Sequence, residues 1–211
     1  MYLTRMELDT SKRKTIIALA SPNLFHGAVE SAFSEFGRKL WRIDRLAGKA
    51  YLLLVSEKEP DLGSAAKQFG TSDGWRTLDY DPFIRKIQTG DRRLFRLTAN
   101  PVIAKSAGSG ARGSILAHVT TDWQEKWLLD RSAKNGFSIG PDDFSVVHNE
   151  WVRFKKGNDH GRIVTFCTVT FEGTLTVSDA SLFHEALKNG IGREKAYGCG
   201  LLTVSRNKNE Q

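Results

Sequence analysis

The chain has 211 residues, 40% of them hydrophobic and 26% charged, and carries a formal net charge of +7. These values exclude a disordered or fibrous chain and leave one large domain or two small ones. No apolar run is long enough to span a bilayer and no basic-then-apolar leader opens the chain, so a cytoplasmic protein without a membrane partner is expected.

Tyr2 to Asp9 alternates, with Tyr2, Thr4, Met6 and Leu8 on one face, and predicts an opening strand. A basic connection follows. Ser21-Pro22 reads as an N-cap with proline at the first helical position. Phe25, Ala28, Val29, Ala32, Phe33 and Phe36 then recur at helical spacing, which predicts one helix with an apolar face, ended by Gly37. Lys39 to Leu46 and Ala50 to Lys58 form a strand pair turned by Ala47-Gly48-Lys49. Within it, Tyr51-Leu52-Leu53-Leu54-Val55 is apolar enough for a central strand. Leu62, Ala65, Ala66 and Phe69 mark a short helix stopped by Gly70, Thr71 to Gly74 reads as a loop, and Trp75 to Tyr80 as a strand. The order is β-α-β-β-α-β, the ferredoxin-like arrangement.

Asp81-Pro82 and Thr89-Gly90-Asp91 punctuate the chain, and the same order begins again. Arg93 to Ala99 is a strand, and Ala107 to Gly113, with Arg112 in it, reads as a mobile loop. Thr121-Asp122-Trp123-Gln124 has the form of a capping box opening a helix that turns Trp123, Trp127 and Leu128 inward and stops at Asn135-Gly136. Phe144 to Phe154 is a strand, Lys155 to Gly161 a basic hairpin tip, and Ile163 to Val177 a long return strand. Ser178-Asp179 caps a helix bearing Leu182, Phe183, Ala186 and Leu187. Gly190 ends that helix, and Leu201 to Val204 is the last strand. The expected fold is therefore α+β, with two tandem ferredoxin-like (RRM-like) domains over residues 1–89 and 90–211.

Cys167 and Cys199 lie in apolar strand-like sequence, and no Cys/His spacing matches a zinc site. Buried, inert thiols are expected, with no metal and no cofactor. The positive balance favours an anionic partner, nucleic acid first.

Between the last helix and the last strand, Gly190-Ile191-Gly192-Arg193-Glu194-Lys195-Ala196-Tyr197-Gly198-Cys199-Gly200-Leu201-Leu202 places four glycines beside two cations. Backbone N–H groups in such a loop make anion-binding concavities, and Arg193 and Lys195 would add charge. This stretch, with Phe95-Arg96-Leu97-Thr98-Ala99-Asn100-Pro101, the opening Met1-Tyr2-Leu3 and a histidine early in the first helix, resembles the CasE endoribonucleases, which process CRISPR RNA in type I-E (Cascade) systems. The resemblance runs from end to end. It implies RNA held across the cleft between the two domains and metal-independent cleavage at the base of the repeat hairpin. It also implies assembly with other Cascade subunits.

Such cleavage uses the ribose 2′-OH as nucleophile and yields a 2′,3′-cyclic phosphate and a 5′-OH. It needs a base, a proton for the leaving oxygen and positive charge at the phosphate. From the residues alone, His26 is either a packing histidine or a base near a helix N-terminus. The resemblance assigns it the base. Related members often carry a tyrosine three residues earlier, where this chain has Asn23, an amide that cannot donate a proton as a phenol does. Tyr197 is a substitute phenol. The expected RNA contacts are Arg193, Lys195, Gly190, Gly192, Gly198 and Gly200 in the loop, with Lys155, Lys156, Arg162 and Arg112 outside it. His118 and His184 read as surface histidines, His148 as structural and His160 as a phosphate contact. A non-catalytic repeat-RNA-binding subunit is the alternative that Asn23 keeps open.

Overall fold

Antiparallel pairing organises the computed structural model, which describes residues 1–105, 108, 113–156 and 161–206. Arg112 and His160 lie outside the described residues. β1 (Tyr2–Leu8) leads through α1 (Arg13–Ala20) and α2 (Pro22–Glu30) to the hairpin of β2 (Lys39–Leu46) and β3 (Lys49–Ser56). α3 (Gly63–Phe69) and β4 (Gly70–Asp79) complete a four-stranded sheet in the order β2-β3-β1-β4. β3 is central, as its apolar run demands. The helices cover one face of this sheet over a core that includes Met6, Phe25, Val29, Trp41, Leu52, Leu54 and Phe69. Phe25 anchors α2 there, its ring 5.2 Å from Phe69 and 6.0 Å from Trp41.

After α4 (Asp81–Arg85) come β5 (Arg92–Ala99), β6 (Val102–Lys105), β7 (Ser114–Ala117), α5 (Thr121–Ser132) and β8 (Phe137–Ser138). β9 (Phe144–Lys156), β10 (Arg162–Val177), α6 (Ala180–Asn189) and β11 (Leu202–Arg206) follow. The second sheet runs β11-β5-β10-β8, with β9 also paired to β10, while β6 and β7 form a separate hairpin. α5 and α6 pack on this sheet through Trp127 over Phe171 and Phe183 against Phe137. Its core continues into the first half through Leu40 and Val55. The architecture is thus a mixed α/β fold with antiparallel sheets.

One polar contact crosses that shared core. Arg42 on β2 is only 2% exposed, and all five of its N–H donors are engaged. Two donate to the Asp44 carboxylate at 2.7 and 2.8 Å. The others donate to the Arg96 carbonyl at 3.0 Å, the Leu201 carbonyl at 2.9 Å and the Thr203 hydroxyl at 2.9 Å. β2 is thereby bonded to β5 and to the segment opening β11.

Several elements depart from the sequence expectation. The basic connection contains α1, whose inward face is Thr15 and Ala18, too small and polar to show as an apolar stripe. The helix predicted through Phe36 stops at Glu30, and Phe36 is fully exposed. The Ala32 carbonyl, which a longer helix would offer to the Phe36 N–H, accepts from the Asp61 N–H instead, at 3.0 Å. Thr71 to Gly74 belongs to β4, an edge strand with several exposed polar residues. Thr120, not Thr121, is the N-cap of α5, and no capping box forms, because the Gln124 side chain donates to the carbonyls of His118 and Val119. Trp123 is 54% exposed and stacks on His118, while Trp127 and Leu128 do face inward. The β6–β7 hairpin was not anticipated. Asp179 caps α6 by accepting from the Leu182 N–H at 3.0 Å, as its sequence indicates. Both cysteines are free and buried, and burial pushes both thiols up. No helix among the described residues is long and apolar enough to cross a membrane.

Replacing Arg42 with alanine would remove the bidentate partner of the Asp44 carboxylate, leaving it Arg96 alone, and would take a donor from the Leu201 and Arg96 carbonyls. Urea unfolding of Arg42→Ala is expected to show a loss of about 3–5 kcal/mol. A loss below about 1 kcal/mol would mean that the guanidinium adds no stability.

Candidate active site

His26 is the fifth residue of α2, one position after the buried anchor Phe25 and one-third exposed. Its ring meets Tyr197 edge-on, with centroids 5.8 Å apart and planes at 70°. Tyr197 belongs to the single turn Lys195–Tyr197 within the Gly-rich loop. That ring is held from behind by Phe154 of β9 at 4.9 Å and Phe166 of β10 at 6.0 Å. The structure thus brings together a histidine from the first half and a tyrosine from the second, 171 positions apart in sequence. Among the described residues the Tyr197 hydroxyl has no hydrogen bond. On α2 the Asn23 amide oxygen is also buried without a hydrogen-bond partner.

The loop is docked rather than free. Trp41 of β2 donates from Nε1 to the Ala196 carbonyl at 3.2 Å. Gly198 lies against the same indole with φ of +87°, and a Cβ there would sit 3.1 Å from the ring. At Gly190 a Cβ would come within 2.7 Å of the Gly200 carbonyl and 2.8 Å of Leu40. These glycines permit close packing. Of the loop amides, the N–H groups of Gly190 and Gly200 are already committed within the protein. Gly190 donates to the Ala186 carbonyl at 2.9 Å and Gly200 to the Thr98 carbonyl at 2.7 Å. Gly192 is exposed and lies over Trp127.

The cations divide into braced and free. Lys195 Nζ donates to the Asn189 carbonyl at 2.7 Å, closing the C-terminus of α6. Burial, and then the charge of Arg38, lower its pKa. Arg193 is exposed and unpaired among the described residues. On the β9–β10 hairpin, Lys155, Lys156 and Arg162 are exposed, and Arg162 lies directly opposite Lys156. The arrangement contains no group of three or more His, Cys, Asp or Glu placed to hold a metal among the described residues.

The other histidines stand apart from His26. His118 is half-buried on Trp123, its pKa lowered by burial and then by Arg131. His184 is half-buried and bonds the Ile87 carbonyl at 3.0 Å. His148, expected to be structural, is exposed beside Glu150. It lines a cleft of about 440 Å³ between β2 and the open face of the second sheet, with Trp41, Arg96, Thr98 and Thr170. Sequence reasoning missed Arg38, Trp41 and Arg42. Trp41 and Arg42 fall within a predicted strand, but nothing in its pattern shows which residues meet the second half.

A family model described as CRISPR associated protein matches residues 1–206. The chain belongs to that family. It is 30% identical over 223 residues to the CRISPR-associated endoribonuclease Cse3 of Thermus thermophilus, which spans 97% of this chain and 100% of the relative. It is 29% identical to the Cascade subunit CasE of Escherichia coli over 57% of this chain and 61% of the relative. The solved structure of Cse3 bound to a 19-nucleotide RNA matches with a TM-score of 0.82 at 27% identity, over 97% of this chain and all of that one. These relatives place the chain in the CasE group, as the closing glycine motif indicates.

Two glycines separate packing from intrinsic preference. Gly198→Ala must adopt a left-handed backbone against Trp41 and is expected to lose at least about 1–2 kcal/mol in urea unfolding. Gly27→Ala, in helical backbone with open space around the added methyl, is expected to gain about 0.5–1 kcal/mol. Equal stability of the two variants would contradict the docked loop.

Proposed function

We propose that this protein is a metal-independent endoribonuclease that cleaves precursor CRISPR RNA at the base of the repeat stem-loop, then stays with the product in a Cascade complex. The observation that carries this is the His26–Tyr197 contact across the two halves. The relatives support it: one bears the name of an endoribonuclease, one is a Cascade subunit, and one structure holds RNA. The activity and partners follow from that group.

In the proposed step, neutral His26 takes the proton of a ribose 2′-OH as its oxygen attacks the adjacent phosphorus. The new O–P bond forms as the bond to the 5′-oxygen breaks, leaving a 2′,3′-cyclic phosphate and a 5′-OH. Tyr197 is the phenol that donates to the departing oxygen, in the role that a tyrosine at the Asn23 position would otherwise fill. Asn23, whose amide oxygen is buried, has its amide N–H groups left to donate to a phosphate or ribose oxygen. Arg193 offers an unpaired charge to the phosphate, whereas Lys195 mainly braces the loop and contributes at longer range. Gly192 and Gly198 shape the loop that presents these groups, as do Gly190 and Gly200.

The β9–β10 hairpin supplies the second RNA surface. Like charges directly opposite one another destabilise a strand pair, so Arg162 facing Lys156, with Lys155 beside them, favours a bound anion. Dispersed cations of this kind suit an RNA helix, which is recognised chiefly through phosphates and 2′-OH groups. Two tandem ferredoxin-like domains, divided near residue 90, are the frame. The strand orders β2-β3-β1-β4 and β11-β5-β10-β9 support this, since each places the first and third strands of its unit at the centre.

In single-turnover assays with a cognate repeat RNA, His26→Ala is expected to slow cleavage by about 10²–10⁴-fold while RNA affinity stays within a few-fold. Tyr197→Phe keeps the packing against Phe154 and Phe166 and should also slow cleavage. Undiminished cleavage by His26→Ala would overturn the assignment.

A further inference from the structure

Glu30 ends α2 one turn beyond His26, and its two carboxylate oxygens have different neighbours. Oε1 lies 3.9 Å from His26 Nδ1. Oε2 accepts from Lys39 Nζ at 2.6 Å. Lys39 is the first residue of β2, paired in register with Ser56, and its side chain is only 9% exposed. Its ammonium lies 5.1 Å over the Phe33 ring. An exposed glutamate ordinarily samples many rotamers. Here a nearly buried lysine, itself fixed by a strand and an aromatic face, pins one oxygen and leaves the other turned to the imidazole.

We propose that Glu30, held by Lys39, is a positioning residue for His26. The carboxylate keeps the imidazole in the tautomer with the proton on Nδ1, so that Nε2 retains the lone pair that accepts the 2′-OH proton. This rests on the reading of His26 as the base. In a neutral imidazole one nitrogen donates and the other accepts, and the neighbour of one decides the role of the other. At 3.9 Å the contact is longer than a hydrogen bond, so the carboxylate acts as an oriented charge. Once the proton has moved to Nε2, the same charge stabilises the imidazolium. Lys39 has a second effect. By balancing the glutamate it limits the repulsion that a bare carboxylate would exert on a phosphate beside His26.

The test compares wild type, Glu30→Ala, Glu30→Gln, Lys39→Met and His26→Ala. Single-turnover cleavage of a repeat RNA, RNA affinity and the ¹⁵N NMR signature of the His26 ring are measured for each. Glu30→Ala is expected to slow cleavage by about 10-fold or more. Its RNA binding should be unchanged or tighter, and its His26 signature should move away from the Nδ1–H form. Glu30→Gln is nearly isosteric, so it guards against misfolding; with its single amide oxygen held by Lys39 it turns an NH2 toward Nδ1, and it should slow cleavage and shift the His26 signature in the same direction as Glu30→Ala. Lys39→Met, which keeps an apolar stem against Phe33, should lose rate in the same direction. A wild-type rate in Glu30→Ala or Glu30→Gln, or a slowed rate with an unchanged His26 signature, would overturn the role of Glu30. Full activity in His26→Ala would instead overturn the reading of His26 as the base.

Discussion

The geometry of the site depends on a guanidinium buried between the two halves. Removing Arg42 from water is costly, and that cost is offset only because every donor finds an acceptor in fixed protein structure. Two of those acceptors are backbone carbonyls, at Arg96 and Leu201, so the contact constrains the chain itself and not only side chains. Asp44 extends the network by pairing with Arg96, which also pairs with Glu172 of β10. Next to Arg42 on β2, Trp41 packs against Phe25, one residue before His26, and bonds the Ala196 carbonyl, one residue before Tyr197. Adjacent residues of one strand therefore fix the position of both halves of the site.

This arrangement gives the Gly-rich loop a purpose different from anion capture by its amides alone. Its glycines let the chain pass between Leu40, Trp41 and Trp127, while the N–H groups of Gly190 and Gly200 are used within the protein. What the loop contributes is side-chain chemistry: the exposed Arg193 charge and the buried Tyr197 ring that meets His26. The aromatic pair Phe154 and Phe166 continues from that ring into the cationic hairpin. The proposed catalytic and RNA-contact residues are thus built on one packed strip.

Much of the frame was legible in the sequence because it rests on local period and punctuation. The run Tyr51 to Val55, the cap at Asp179 and the stop at Gly190 each state their structure within a few residues. α1 was hidden because its buried positions, Thr15 and Ala18, carry almost no apolar signal. The end of α2 was misplaced because Asp61, far along the chain, captures a carbonyl that a longer helix would have used. The candidate site was legible in part. His26 was singled out through the family resemblance, and Tyr197 through the loop it sits in. Trp41, Arg42 and the Lys39–Glu30 pair did not, since their meaning lies in partners that only the tertiary fold supplies.

The central claim is that the two halves together form a site for metal-free attack by a ribose hydroxyl. Its most direct test is the end chemistry of repeat RNA cleaved by the wild-type protein in EDTA. Products ending in a 2′,3′-cyclic phosphate and a 5′-OH are predicted. A 3′-OH with a 5′-phosphate, or loss of cleavage in the chelator, would contradict it.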